Sequence, residues 1–110
     1  MRDYLNDFEQ LVLLSVLRLG SDAYGGAIRR DLEDTARRSV TVASIYVALS
    51  RLEQQGRCRS WMSDPTPVRG GKAKKHYALE PDGVRALRDA KSALERMWSG
   101  VGDTLDAVES

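Results

Sequence analysis

The chain has 110 residues, 42% hydrophobic and 30% charged, a composition ordinary for one globular domain. Its apolar runs are too short to cross a bilayer, and residues Met1–Tyr4 lack the basic flank and apolar stretch of a signal peptide. Cys58 is the only cysteine, which excludes an intrachain disulfide, so we expect a cytoplasmic protein with no membrane contact.

The formal net charge of +1 conceals an uneven distribution of charge. Residues 37–77 carry nine basic side chains against two acidic ones, for a net charge of +7. The flanking segments, residues 1–36 and 78–110, each have a net charge of −3. A basic centre between acidic ends indicates a polyanionic partner, although a basic segment taken alone is more often a solvated surface.

Two helices are predicted before the basic segment. The first has apolar residues at helical spacing from Phe8 to Leu19 and ends at Gly20. We expect Ser21 or Asp22 to cap the second, because short polar side chains satisfy the free N–H groups of a helix start.

The third helix is predicted to begin after Thr41, which suits the N-cap, and to end before Gly56. Its apolar stripe, expected to be buried, consists of Val42, Ile45, Leu49 and Leu52. Burial of this stripe turns the opposite face of the helix to solvent.

A β-hairpin is predicted next. Residues 57–63 have no helical stripe, prolines and glycines interrupt residues 64–71, and His76–Leu79 can return as a second strand. The tip has no acid and four basic side chains, Arg69, Lys72, Lys74 and Lys75. These charges can neutralise DNA phosphates without reading sequence; the alternative is a mobile basic turn that only adds solubility.

From Pro81 to about Val108 no further proline interrupts a long helix, which we predict to be continuous. Its apolar positions follow a heptad pattern that needs a partner helix, and we assign dimerisation to Leu87, Leu94, Met97, Val101, Leu105 and Val108. Gly100 and Gly102 weaken this helix locally, each by roughly 1 kcal/mol relative to alanine.

The predicted fold is therefore mainly α with a small β-hairpin, a winged helix-turn-helix with a long C-terminal dimerisation helix. Residues 1–80 would form the DNA-binding domain and residues 81–110 the helix that pairs two copies. The third helix of such a fold enters the major groove of double-stranded DNA. The candidate DNA-binding residues on it are Thr41, Ser44, Tyr46, Val47, Ser50 and Arg51.

These side chains suit DNA chemically. Ser44 and Arg51 can hydrogen-bond base edges or phosphates, Val47 can contact a thymine methyl group, and the Tyr46 hydroxyl can reach a phosphate. The alternative is the solvated side of an amphipathic helix. The shortage of acids, with Glu53 the only one in the helix, favours DNA binding.

Catalysis finds little support in the sequence. His76 is the only histidine, and Cys58 has no histidine near it, so the cysteine is expected to be a small buried apolar residue. A zinc site needs more sulfur and imidazole ligands than the chain has. We predict no catalytic residue, no metal and no cofactor, and therefore no enzyme.

Trp98, with Met97 beside it, lies on the dimer-side stripe and has two interpretations. Tryptophan in an amphipathic helix most often belongs to a packed interface. Two copies meeting near a two-fold axis could instead hold a planar hydrophobic small molecule between them.

Four segments, Phe8–Leu14, Ala23–Ile28, Ile45–Glu53 and Gly70–Leu79, resemble PadR-like transcriptional regulators, in particular the compact subgroup with a single C-terminal helix. The resemblance implies a homodimeric repressor that binds a palindromic promoter operator and is released by a small molecule or stress signal. It also places Tyr24 in the DNA-facing region. The family usually has a threonine cap where this chain has Glu80.

One alternative from another class remains open. The acidic ends and near-neutral total charge are compatible with a winged-helix protein-interaction adaptor that does not bind DNA.

Overall fold

A computed structural model describes residues 4–63 and 73–109. The helices and strands in these ranges are α1 (Asp7–Leu19), α2 (Gly25–Thr35), α3 (Val42–Gln54), β1 (Cys58–Met62), β2 (Lys75–Leu79), α4 (Pro81–Trp98) and α5 (Gly102–Glu109). As far as α4 they follow the predicted order. The two strands form an antiparallel sheet in which Cys58 pairs with Leu79 and Met62 with Lys75. A mainly helical fold with a β-hairpin is confirmed.

The start of α1 is fixed by a capping box that was not predicted. The Asn6 side chain accepts a hydrogen bond from the Glu9 backbone N–H at 2.7 Å, and the Glu9 carboxylate accepts one from the Asn6 N–H at 2.9 Å. Two free N–H groups are thereby satisfied. The helix ends at Gly20, as predicted, with φ of +59°.

The predicted cap of α2 is wrong. Ser21 and Asp22 lie in a short 3-10 turn, and α2 begins only at Gly25, after Tyr24 in extended conformation with no side-chain cap. The reason is tertiary: Tyr24 forms an isolated antiparallel bridge with His76 of β2. Because this pairing needs extended backbone, it delays the helix by several residues.

Both ends of α3 are confirmed. The Thr41 hydroxyl accepts a hydrogen bond from the Ser44 N–H at 3.1 Å, and Gly56 follows the helix with φ of +76°. In the turn before it, Arg37 has φ of +58°, and the Arg38 N–H donates to the Leu32 carbonyl at 3.0 Å. This left-handed turn, usually made by glycine, sets α3 across α2.

The core lies where α1, α2, α3 and the hairpin meet. From the predicted stripe of α3, Ile45, Leu49 and Leu52 are fully buried, whereas Val42 is only half-buried. The other buried apolar residues from α1, α2, α3 and their flanks are Leu5, Val12, Leu13, Val16, Ala23, Ala27, Ile28, Leu32 and Ala48. The hairpin closes the core with Cys58 and Tyr77.

The first half of α4 belongs to this body. Gly83 packs so closely on the backbone carbonyl of Arg57 that an added Cβ would overlap it, and the Glu80 N–H donates to that carbonyl at 2.9 Å. Glu80 itself makes no side-chain cap. Leu87 is 9% exposed within the core cluster, so the structure assigns it to the chain's own core.

The prediction of one continuous helix to about Val108 is wrong. Helix α4 ends at Trp98, Ser99 is extended, and Gly100 has φ of +78° before α5 begins at Gly102. Left-handed backbone costs glycine little, and glycine is a poor helix former, so the chain breaks here. In the described ranges no helix combines the length and the apolar character that crossing a bilayer requires.

A polar cluster joins α1 to α2 outside this core. Asp31 accepts hydrogen bonds from Ser15 at 2.8 Å, from Arg18 at 3.1 and 3.2 Å, and from Thr35 at 3.0 Å. Burial alone would raise the pKa of the Asp31 carboxyl. The hydrogen bonds and the Arg18 charge outweigh burial and hold this pKa below its usual value of 3.8.

We predict that Asp31→Asn lowers the free energy of unfolding at neutral pH by about 1–3 kcal/mol, because it weakens charged hydrogen bonds. A lowered carboxyl pKa stabilises the fold above the unfolded-state pKa, and this contribution is lost as the pH falls through the folded-state value. Urea unfolding at several pH values should therefore show the two proteins converging in acid. Asp34→Asn, on an exposed carboxyl of the same helix, is the control; an equal loss for both variants would contradict the account.

Candidate nucleic-acid interface

The outer face of α3 carries most of the predicted DNA-binding residues. Tyr46, Val47, Ser50 and Arg51 are exposed, Val47 by 71%, and with Gln54 they line one shallow depression. Gln54, which helical spacing places on the same face, was not among the predicted DNA-binding residues. An amide, a hydroxyl, a guanidinium and a methyl-bearing side chain together offer the groups that read base edges.

Thr41 and Ser44 lie at the start of this face and are engaged in its cap. Besides the bond from the Ser44 N–H to the Thr41 hydroxyl, the Ser44 hydroxyl donates to the Thr41 carbonyl at 2.8 Å. The Ser44 proton is thus in use, and its oxygen remains able to accept. These two residues hold the helix start in place in this structure.

Gly25 makes room for Tyr46. A Cβ at Gly25 would lie 2.6 Å from the Tyr46 hydroxyl oxygen and 2.7 Å from its Cζ, closer than real Cβ atoms come. The Tyr46 ring also lies 6.3 Å from the Tyr77 ring. Tyr46 therefore sits in the angle between the start of α2, the hairpin and its own helix, and only glycine at position 25 leaves that place open.

The hairpin is attached to the helices through its second strand. The Tyr77 N–H donates to the Ala23 carbonyl at 2.9 Å, and the Tyr77 side chain is 2% exposed. Burial raises the pKa of the Tyr77 phenol to about 12, with further small contributions from Tyr46 and Glu53. The attachment fixes where β2 runs relative to α2 and α3.

A row of three rings covers the base of the hairpin. The Trp61 ring stacks on His76 with centroids 5.9 Å apart, and His76 meets the Tyr24 ring edge-on at 5.8 Å. The His76 Nδ1 atom lies 2.9 Å from the Ser21 carbonyl oxygen. Because a carbonyl only accepts, Nδ1 donates this bond. His76 thus packs between the Trp61 and Tyr24 rings.

Tyr24 is the meeting point of two cations. Its hydroxyl accepts a hydrogen bond from Arg30 Nη2 at 3.1 Å, and Lys74 Nζ lies 4.0 Å from its ring centroid. The Arg30 hydrogen bond lowers the pKa of Tyr24, against the effect of burial and with a contribution from Lys74. Arg30 was not predicted. No helical spacing marks it, because its partner Tyr24 lies six residues earlier, in extended backbone before α2 begins.

The remaining wing residues divide between what the structure describes and what it does not. Lys74 and Lys75 are exposed at the start of β2. Arg69 and Lys72 lie outside the described residues. Cys58 is buried, as expected, and burial raises the pKa of its thiol to about 11, so the nucleophilic thiolate is suppressed at neutral pH.

The basic side chains of this surface differ from other arginines of the chain. Arg18, Arg29 and Arg59 form ion pairs with carboxylates. In contrast, no ion pair with another described residue is seen for the four cations of the candidate surface, Arg30, Arg51, Lys74 and Lys75. Cations grouped on one surface attract a polyanion.

The residues of the predicted C-terminal stripe are largely exposed and, since the helix breaks after Trp98, they are divided between α4 and the segment that leads into and forms α5. Met97 is 76% and Trp98 58% exposed, Val101 is half-buried, and Leu94, Leu105 and Val108 are exposed. Next to the stripe, a groove runs between the N-terminal residues and α4, with apolar lining from Leu5, Ala86, Ala90, Ala93 and Leu94. Leu87 does not contribute to the stripe, because it is buried.

Comparison with known proteins gives a consistent picture. The model of the "Transcriptional regulator PadR-like family" matches residues 13–89. A PadR family transcriptional regulator from Eggerthella lenta is 30% identical, with a TM-score of 0.67, and the match covers 87% of this chain and 81% of that one. A search of the curated proteins finds no match.

Two further solved structures share the fold. A PadR family regulator from Clostridium difficile superposes with a TM-score of 0.68 at 23% identity, over 89% of this chain and 98% of that one. A PadR-like regulator from Bacillus cereus gives a TM-score of 0.68 at 19% identity, over 94% and 91%.

We predict that Gly25→Ala displaces the Tyr46 ring, whereas Gly26→Ala does not. A Cβ at Gly26 would meet Tyr24 at an ordinary 3.5 Å, so that variant is a matched control on the same helix turn. NMR spectra with labelled tyrosine should show the Tyr46 ring signals shifted only in the first variant. Unchanged Tyr46 signals in Gly25→Ala would contradict the packing described here.

Proposed function

This chain belongs to the PadR-like family of transcriptional regulators, and we propose that it is a homodimeric repressor that binds a palindromic promoter operator in double-stranded DNA. Regulators of this family act on transcription and are not enzymes. The observation that supports DNA binding best is the continuity between the outer face of α3 and the wing.

That continuity runs through three contacts. Arg51 and Val47 share a depression with Tyr46, Tyr46 fills the space beside Gly25, and the neighbouring Tyr24 contacts Lys74 of the wing. A helix face and a basic wing on one connected surface are what a winged helix-turn-helix presents to a duplex. We infer that α3 enters the major groove and that Lys74 and Lys75 contact flanking phosphates.

Within the groove, each side chain has a distinct task. Arg51 donates to guanine or to phosphates, the Val47 methyl groups contact thymine methyls, and Ser50 hydrogen-bonds either base edges or phosphates. Lysine on the wing supplies charge without the planar fork of arginine, so the wing contributes affinity more than sequence discrimination.

Dimerisation is proposed through the exposed C-terminal stripe of Leu94, Met97, Trp98, Val101, Leu105 and Val108. Large apolar side chains left in water favour association with a second copy, and the adjoining groove beside Leu5 and Ala90 extends the surface that such a copy would cover. Pairing about a two-fold axis would place two α3 helices roughly one DNA turn, about 34 Å, apart.

Salt dependence tests DNA binding. If the dimer contacts about six to eight phosphates, the logarithm of the association constant should fall with the logarithm of salt concentration at a slope of about −5 to −7.

We predict that Arg51→Ala loses about 1–3 kcal/mol of binding free energy, whereas Arg88→Ala on exposed α4 loses little. Fluorescence anisotropy of labelled promoter fragments measures both quantities.

Absence of binding to any promoter fragment, together with a protein partner found by crosslinking, would contradict this proposal and favour the adaptor. Equal effects of Arg51→Ala and Arg88→Ala would contradict the assignment of α3 to the groove.

We further propose that a planar hydrophobic molecule binds between the two copies of Trp98, next to Met97. Its binding would change the distance between the two α3 helices, so that DNA is released. Both side chains are exposed in the single chain. We predict that planar dyes quench the fluorescence of the wild type and of Trp61→Phe, which keeps Trp98, but not of Trp98→Phe. Quenching that persists unchanged in Trp98→Phe would exclude this site.

A further inference from the structure

We propose that Arg30 joins Tyr24 and Lys74 in a phosphate-binding site at the base of the wing, the wing-base site, which takes one backbone phosphate of duplex DNA. This inference rests on the proposed function and adds Arg30 as a binding residue. It assigns the site to sequence-independent affinity.

The geometry brings two cations to one side chain. The Arg30 guanidinium spends one N–H on the Tyr24 hydroxyl at 3.1 Å, and the Lys74 ammonium lies 4.0 Å from the centre of the same ring. Arginine has five N–H donors and lysine three, so most donors at this place stay available to a ligand. A phosphate oxygen is an acceptor that can take several such bonds at once.

Electrostatics favour an anion at this position. Arg30 and Lys74 are both exposed, and neither forms an ion pair with another described residue. Two like charges that share one neighbour repel each other, and an anion between them turns this repulsion into attraction. The lowered pKa of Tyr24 reflects the same positive surroundings.

The site is also held in place by the fold. The Ser63 N–H donates to the Lys74 carbonyl at 2.9 Å, and the Lys74 N–H donates to the Ser63 hydroxyl at 3.0 Å. On the other side, the Tyr24 backbone is bridged to His76, whose ring stacks on Trp61. The backbones of Lys74 and Tyr24 are thus held relative to each other, and a site on a fixed backbone loses less entropy when it binds.

A phosphate fits this site better than a base edge. The ammonium of Lys74 is a compact charge without the fixed fork that recognises guanine, and Arg30 has already committed one N–H to Tyr24. Contacts of this kind set the register and affinity of the protein on DNA and carry no sequence information.

The test compares Arg30→Ala with Arg29→Ala on the full-length protein. Arg29 precedes Arg30 and pairs with Glu33 at 2.7 Å, so its removal changes the net charge equally without touching the wing-base site. Affinity is measured against salt for a promoter fragment and for an unrelated duplex of the same length. Arg30→Ala should weaken binding to both duplexes by the same factor and reduce the magnitude of the slope of the salt plot by about 1. Arg29→Ala should change neither the affinity nor the slope.

A double-mutant cycle shows whether one phosphate is shared. If Arg30 and Lys74 hold the same phosphate, Arg30→Ala/Lys74→Ala loses less affinity than the product of the two single losses. Independent losses would overturn the shared site. Chemical-shift titration with inorganic phosphate separates the sources: shifts at Tyr24 with free phosphate, but no effect of Arg30→Ala on DNA binding, would also overturn it.

The two proposals fail differently. If the wild type binds DNA with a steep salt dependence and Arg30→Ala matches it in affinity and slope, only the wing-base site is refuted. If the wild type binds no duplex, the proposed function is refuted, and the wing-base site with it.

Discussion

The attachment of the hairpin at Tyr77 is the contact on which the remaining geometry depends. Its N–H bonds the Ala23 carbonyl at 2.9 Å, and its ring lies buried near Tyr46. Burying an aromatic ring of this size contributes about 1.5–3 kcal/mol, a large share of what one contact can add to a small domain. One residue therefore joins β2 to the start of α2 and to α3, and the wing cannot turn without disturbing the core.

The same frame directs the C-terminal segment. Glu80 follows β2 directly, its N–H bonds the carbonyl of Arg57, and Gly83 packs against that carbonyl. The axis of α4 is thereby set by the hairpin, and Leu87 anchors its first half in the core. In the dimer that we propose, the distance between two α3 helices would follow from this anchoring, because α4 connects the surface that binds DNA to the surface that pairs the copies.

Much of the fold could be predicted from sequence because its signals are local. Thr41 and Gly56 mark the ends of α3 through backbone chemistry within one helical turn, and the helical period separates its buried stripe from the exposed Val47 and Arg51. The predicted cap at Ser21 or Asp22 was wrong because Tyr24 pairs with His76, over fifty residues away, and this pairing overrides the local preference. The prediction of a continuous C-terminal helix was wrong because a left-handed Gly100 ends α4, whereas the heptad pattern treated the two glycines as only a local weakening.

The candidate site divides in the same way. The face of α3 follows from helical spacing, whereas the convergence of Arg30 and Lys74 on Tyr24 depends on how a strand crosses a helix start, and no spacing in the sequence reports that. The roles of Arg69 and Lys72, outside the described residues, and of the dimer stripe stay predictions.

In the proposed dimer, two copies present their α3 helices to DNA at a fixed separation. Selection of the fragments that the protein binds from its source genome, followed by sequencing, tests this most directly. The account predicts enrichment of an inverted repeat whose half-sites are centred roughly 10 base pairs, or one helical turn, apart. Enrichment of no fragment, or of single half-sites without two-fold symmetry, would contradict it.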